Sequence, residues 1–124
     1  MRILVVEDHL LFQESLVRLL NARPDTTVIG AVNSLQEALV QVHQFKPDVI
    51  LMDCSLSDGT VLDASRTILA ELPDTKIVLL TMDEVHDKVH DAIRQGAYGY
   101  LPKSVTSSHL LGYLNGIECE GAAI

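Results

Sequence analysis

Five short apolar runs, each followed by a longer stretch with helical spacing, limit what this chain can become. The runs cover residues 3–6, 28–32, 49–52, 77–80 and 98–101. Four of the five carry Leu or β-branched residues on consecutive positions, as strands covered on both faces do. Between them, Phe12, Leu16, Leu19 and Leu20 share one face of a first helix. Ser34 and Glu37 have capping-box spacing and open a second helix bearing Leu35, Ala38, Leu39 and Val42. A third runs from Val61 or Leu62 to Leu72 and stops at Pro73. Val85, Val89, Ala92 and Ile93 stripe a fourth, with Gly96 at its C-terminal end. Leu110, Leu114 and Ile117 stripe a fifth, capped by Thr106 or Ser107. Strand then helix, five times over, implies right-handed crossovers and an α/β fold: an open parallel sheet with helices on both faces.

A chain of 124 residues has room for one such domain. Without Trp, and with 4% aromatic residues, its core must be aliphatic. Seventeen acids against nine bases give −8, which argues against the chain gripping nucleic acid by itself. Glu7 and Asp8 interrupt the apolar start, so no signal peptide is expected, and no apolar run is long enough to span a membrane. Cys54 and Cys119 are too few for a disulfide framework and read as reduced thiols. A cytoplasmic domain over residues 1–118 is expected. Residues 119–124 lose the helical pattern and are expected to begin a linker.

In an open parallel sheet the functional crevice lies beyond the carboxyl ends of the strands. Glu7 and Asp8 follow the first strand, Asp53 the third, Thr81 the fourth and Lys103 the fifth. Three carboxylates brought together repel, and a bound cation is one remedy. Hard oxygen donors suit Mg²⁺, which often bridges carboxylate to phosphate. Asp53 has the chemistry of a nucleophile toward phosphorus, Lys103 can neutralise a transferring phosphoryl group, and Thr81 can donate a hydrogen bond to it.

With those residues in place, the chain resembles a response-regulator receiver domain of two-component signalling. The resemblance rests on residues 3–8 (ILVVED), 47–53 (PDVILMD), 79–81 (LLT) and 96–103 (GAYGYLPK). It implies a flavodoxin-like sheet of strand order 2-1-3-4-5. It further implies that Asp53 accepts a phosphoryl group from a sensor histidine kinase. Mg²⁺ would be held by Glu7, Asp8, Asp53 and the backbone carbonyl of Ser55. Lys103 would pair with the phosphoryl group, Thr81 would swing toward it, and Tyr100 would follow into the vacated space, repacking the face of the fourth helix, fifth strand and fifth helix. The segment around Tyr98 and Tyr100 is similar to the NarL/LuxR-type subfamily. That likeness implies a transcription regulator that reaches DNA only through a C-terminal domain lying outside this sequence. It also implies receivers able to pair through their first and fifth helices, here involving Val17 and Leu111. Leu10 and Val17 are expected opposite the Phe12–Leu16 face.

Four positions depart from the family's usual pattern. Ser57 stands where Pro is common, Val61 where Gly is frequent, Met82 where the residue is usually small, and Ser104 where Pro is frequent. No reacting group is lost, so these bear on rate and conformational preference; Met82 could crowd the route to Asp53 or restrain the switch.

Other readings of the same residues are weaker. His86 and His90 have the spacing of a helical zinc pair, but a solvated helix face explains them better, because no third ligand is apparent. Cys54 is expected to point away from Asp53 as a packed thiol. An FMN carrier would need a glycine- and hydroxyl-rich phosphate loop where Glu7 and Asp8 stand. An aspartyl phosphohydrolase would want an acid where Ser55 stands. A degenerate receiver that signals without phosphate remains the alternative within the family.

Overall fold

The computed structural model describes residues 1–82 and 87–122, with side chains described through Glu118. Strands and helices alternate: β1 (Arg2–Val6), α1 (Leu10–Asn21), β2 (Thr27–Val32), α2 (Leu35–Phe45), β3 (Val49–Asp53), α3 (Val61–Glu71), β4 (Lys76–Thr81), α4 (Asp87–Arg94), β5 (Gly99–Pro102) and α5 (Ser107–Ala122). The strands form one sheet in the order β2-β1-β3-β4-β5, every pair parallel.

Successive side chains of a strand point to opposite faces, and this divides the core in two. Leu4, Val6, Ile50, Met52, Ile77 and Leu79 are buried against α2, α3 and α4, which contribute Val42, Ile68 and Val89 among others. Ile3, Val5, Val49, Leu51, Val78 and Leu80 are buried against Leu16 and Leu20 of α1 and Leu110, Leu114 and Ile117 of α5. Each central strand must therefore be apolar at every position, which is why the runs in the sequence do not alternate with polar residues.

The helix ends follow local chemistry. Ser34 Oγ accepts from Glu37 N–H at 3.1 Å, Thr60 Oγ1 from Asp63 N–H at 3.2 Å, and Thr106 Oγ1 from His109 N–H at 3.2 Å. Thr106, not Ser107, is thus the cap of α5. Gly96, at φ 117°, closes α4: its N–H donates to Ile93 O, and Ala97 N–H donates to Ala92 O. That pair of bonds needs a left-handed residue between them, which glycine adopts without a Cβ clash.

Some expectations shift. The last strand spans Gly99–Pro102, one residue later than its apolar run. Val17 is half-buried and packs on the α1/α5 side of the core, so it does not lie on the outer face with the exposed Leu10. α5 continues to Ala122, and the loss of pattern from Glu118 marks no break in the helix backbone. Val85 and His86 lie outside the described residues. No helix among the described residues is long and apolar enough to cross a membrane.

Candidate functional site

Because all five strands run the same way, their carboxyl ends meet along one edge. Glu7 and Asp8 leave β1, Asp53 ends β3, Thr81 ends β4, and Lys103 follows β5. Lys103 N–H donates to Thr81 O at 2.7 Å, fastening the β5–α5 loop beside β4. Glu7, Asp53 and Thr81 are buried, whereas Asp8 is exposed. The sheet edge thus gathers every residue that strand order had placed there.

Burying two carboxylates is costly unless a cation accompanies them. Lys103, with its side chain only 10% exposed, is that cation. Its Nζ donates to Glu7 Oε1 at 2.8 Å and lies 3.2 Å from Asp53 Oδ2, the latter without hydrogen-bond alignment. The same ammonium stands 5.3 Å from the centroid of the Phe12 ring, within cation–π range. Burial depresses a lysine pKa, but the bond to Glu7 and the charge of Asp53 outweigh it and hold Lys103 above its ordinary value.

The two buried acids are driven in opposite directions. Burial, assisted by the charge of Asp53, raises the Glu7 carboxyl above its usual range despite Lys103. Burial also opposes ionisation of Asp53. There the N–H and hydroxyl of Ser55 donate to Oδ1 at 3.0 and 2.9 Å, and with Lys103 they hold the carboxyl below its usual range. Asp53 is therefore an ionised carboxylate at neutral pH.

Glu7 Oε2 and Asp53 Oδ2 are buried without a hydrogen-bond partner among the described residues. Oxygens of Glu7, Asp8 and Asp53 lie within 4.8 Å of one another, the one such grouping of acid, His or Cys ligands among the described residues. Orphaned anionic oxygens on hard donors fit a divalent cation such as Mg²⁺ better than a soft metal.

Around this centre, Tyr100 stands on β5 with 39% of its surface exposed, beside the buried Leu101. Met82 is 69% exposed, so its side chain extends into solvent and is not packed over Asp53. Ser57 is exposed, while Val61 is buried in the core as the first residue of α3. Cys54 packs half-buried on the α2–α4 side of the core, and burial followed by the charge of Asp53 pushes its thiol up to about 11. It is a protonated, packed thiol at neutral pH, as its place at the strand end suggests.

Three contributions were not legible in the sequence. Ser55 acts on Asp53 through its N–H and hydroxyl, where the family pattern implied only a carbonyl role. The carboxylate of Asp58 accepts from the N–H groups of Leu35 and Gln36 at 2.9 and 3.0 Å, tying the loop after Asp53 to the first turn of α2. Gln13 donates its side-chain amide to two strand-end carbonyls. Serine, aspartate and glutamine are ordinary surface residues, and only their spatial neighbours mark them.

Residues 3–115 match the response regulator receiver domain family. The chain belongs to that family. The receiver is 34% identical over 109 residues to the DNA-binding transcriptional activator DevR/DosR of Mycobacterium tuberculosis, covering 88% of this chain and 50% of that one. It is 34% identical over 112 residues to the oxygen regulatory protein NreC of Staphylococcus aureus, covering 90% and 52%. The receiver thus spans about half the length of these curated relatives. Among solved structures, the signal receiver domain of a response regulator NarL from Mycobacterium tuberculosis superposes with a TM-score of 0.85 at 28% identity, over 95% of this chain and 94% of that one. A LuxR-family two-component response regulator from Aurantimonas sp. superposes with a TM-score of 0.85 at 28% identity, over 94% and 83%. The flavodoxin-like order and the NarL/LuxR likeness are both borne out by these matches.

Proposed function

We propose that this receiver is a phosphorylation-controlled switch in which Asp53 takes a phosphoryl group from the histidine of a sensor kinase. The observation that carries this reading is the state of Asp53 itself. Its carboxyl is held ionised by Ser55 and Lys103, with one oxygen, Oδ2, left without a hydrogen bond among the described residues. That oxygen attacks phosphorus, the P–N bond to the donor imidazole breaks, and the imidazole leaves with the bonding pair and takes up a proton. Asp53 is 1% exposed, so its carboxylate must be uncovered before a donor reaches it.

Glu7, Asp8, Asp53 and the carbonyl of Ser55 would hold Mg²⁺, which would neutralise the charge that develops on the phosphoryl oxygens. Lys103 exchanges its contact with Asp53 for the attached group, and the Thr81 hydroxyl turns to donate to a phosphoryl oxygen. Tyr100, exposed on the neighbouring strand, moves inward behind Thr81. The output is a changed α4–β5–α5 surface rather than a released product, and the receiver is not a multiple-turnover enzyme. In the intact regulator this surface controls a C-terminal DNA-binding domain, and two receivers pair through α1 and α5.

Incubation with acetyl phosphate and Mg²⁺, read by intact mass, tests the reading. One phosphoryl group should be gained by the native chain and by neither Asp53→Asn nor a metal-free control. A folded, Mg²⁺-binding protein that gains nothing with acetyl phosphate, and forms no beryllofluoride complex, overturns it in favour of a receiver that signals without phosphate.

A further inference from the structure

Gln13 lies in the first part of α1, one turn beyond the acid pair, and has no part in the chemistry assigned above. Its side-chain Nε2 donates to the main-chain carbonyl of Glu7 and to that of Val32, each at 3.0 Å. Glu7 N–H donates to the same Val32 carbonyl at 2.9 Å. Both main-chain polar groups of Glu7 are therefore engaged: the N–H by the end of β2, the carbonyl by Gln13. The carbonyl of Glu7 belongs to the peptide unit that joins Glu7 to Asp8, so Gln13 holds the plane from which Asp8 departs.

The Asp8 side chain has no brace of its own among the described residues, and on its other side the next peptide is tied by His9 N–H to Glu7 Oε1 at 3.2 Å. Glu7 is anchored by Lys103 and by His9 N–H, and Asp53 by Ser55. The Asp8 side chain is exposed and makes no hydrogen bond or ion pair with any described residue. Its carboxylate is nonetheless held within 4.8 Å of oxygens of two other acids, where mutual repulsion favours its moving away. The main chain has to resist that repulsion, and it is braced at this point by the amide of Gln13.

We propose that Gln13 is a positioning residue for divalent-cation binding, pinning the Glu7–Asp8 peptide so that the Asp8 carboxylate stays at the acid cluster. This rests on the cation-binding part of the proposed function. Gln13→Met keeps the length of the side chain and removes both donors. Both side chains are neutral, so the charge at the acid cluster is unchanged.

The test is calorimetric titration of Mg²⁺ into the native chain, Gln13→Met and Asp8→Asn, with thermal unfolding and backbone nitrogen-15 relaxation in chelator run alongside. Gln13→Met should bind Mg²⁺ on the order of fivefold to tenfold more weakly, the size expected for losing one or two hydrogen bonds. In metal-free Gln13→Met the Asp8 amide should also gain mobility relative to its neighbours in α1, a local change that loss of general packing does not produce. If Gln13→Met does not fold, Gln13→Ala replaces it, since position 13 is only half-buried. Native affinity in a folded Gln13→Met or Gln13→Ala, or an Asp8 amide as ordered in the variant as in the native chain, overturns the positioning role alone. A native chain that binds no Mg²⁺ removes the cation site, and the role of Gln13 with it.

Discussion

Lys103 Nζ meets Glu7 Oε1 at 2.8 Å, joining residues 96 positions apart and closing the sheet edge from its last loop to its first. The pair is buried beside Asp53, so each member depends on the other for its charge state. Lys103→Met leaves two carboxylates buried without a counter-ion and should lower stability at neutral pH by about 3 kcal/mol. The pKa of Lys103 is raised on folding, so its contribution is complete below the unfolded value and fades only as pH rises through the higher folded value. Glu7, whose folded pKa is raised above 4.5, protonates as pH falls toward that region and relieves the variant. Urea unfolding at pH 5 and pH 7 should show a smaller deficit at the lower pH; an equal deficit would mean that packing, not charge, is lost.

Ser55→Ala should move the Asp53 carboxyl upward toward its ordinary range, because the hydroxyl donates to Oδ1 at 2.9 Å while the main-chain N–H remains. The folded pKa of Asp53 is depressed, so its stabilising contribution is present above the unfolded value near 3.8 and is lost as pH falls through the folded value. Carbon-detected NMR titration of the Asp53 carboxyl in the two proteins reads the shift directly. No upward movement in Ser55→Ala would show that the backbone N–H and Lys103 suffice.

The thiol of Cys54 stands at about 11, raised first by burial and then by the charge of Asp53. In a Cys119→Ser background, alkylation at neutral pH should be slower than for an unfolded control by roughly two orders of magnitude, since only the thiolate reacts. The rate should climb with pH up to about the same value. A fast reaction at neutral pH would show that the thiol is neither buried nor raised.

A methyl group added at Gly99 would come within 2.2 Å of the Tyr113 hydroxyl, which occupies the space over β5. Gly99→Ala should therefore destabilise the domain by about 1–3 kcal/mol. Combined with Tyr113→Phe it should cost clearly less, and a double-mutant cycle of chemical denaturations measures the coupling. Additive effects would place the strain elsewhere.

Asp58→Ala removes the carboxylate that accepts at the start of α2, exposing the N–H groups of Leu35 and Gln36. Those two amides should exchange with solvent faster than the rest of α2, and the melting temperature should fall. Because hydrogen bonding depresses the Asp58 pKa, the difference from the native chain should disappear as pH falls through its folded value. Unchanged exchange at Leu35 and Gln36 would mean that Ser34 alone caps the helix.

Much of this was readable in one dimension, and the exceptions are instructive. Apolar runs located every strand because a doubly covered sheet demands continuous burial, yet β5 begins one residue late. A strand's limits depend on the neighbour it pairs with, and Gly99 is where pairing with Val78 starts. Val17 was placed on the outer face by helical angle alone. A helix lying on a sheet buries an arc wider than one stripe, so Val17 packs on the core. The apolar periodicity fades toward the end of the chain, yet α5 runs to Ala122, because backbone hydrogen bonding continues a helix without an apolar stripe.

The sequence by itself determined the layered architecture, the caps at Ser34 and Gly96, and the five strand-end residues that meet at the site, because each follows from local periodicity or from the common direction of parallel strands. Only the tertiary structure decided how those residues share charge. Glu7 is raised and Asp53 lowered, although both are acids at strand ends, because Ser55 donates two hydrogen bonds to one of them and none to the other. The same is true of Gln13 and Asp58, whose roles exist only across loops from different parts of the chain. Burial and hydrogen bonding are properties of a place in space, and composition and spacing specify which residues arrive there without specifying what surrounds each one.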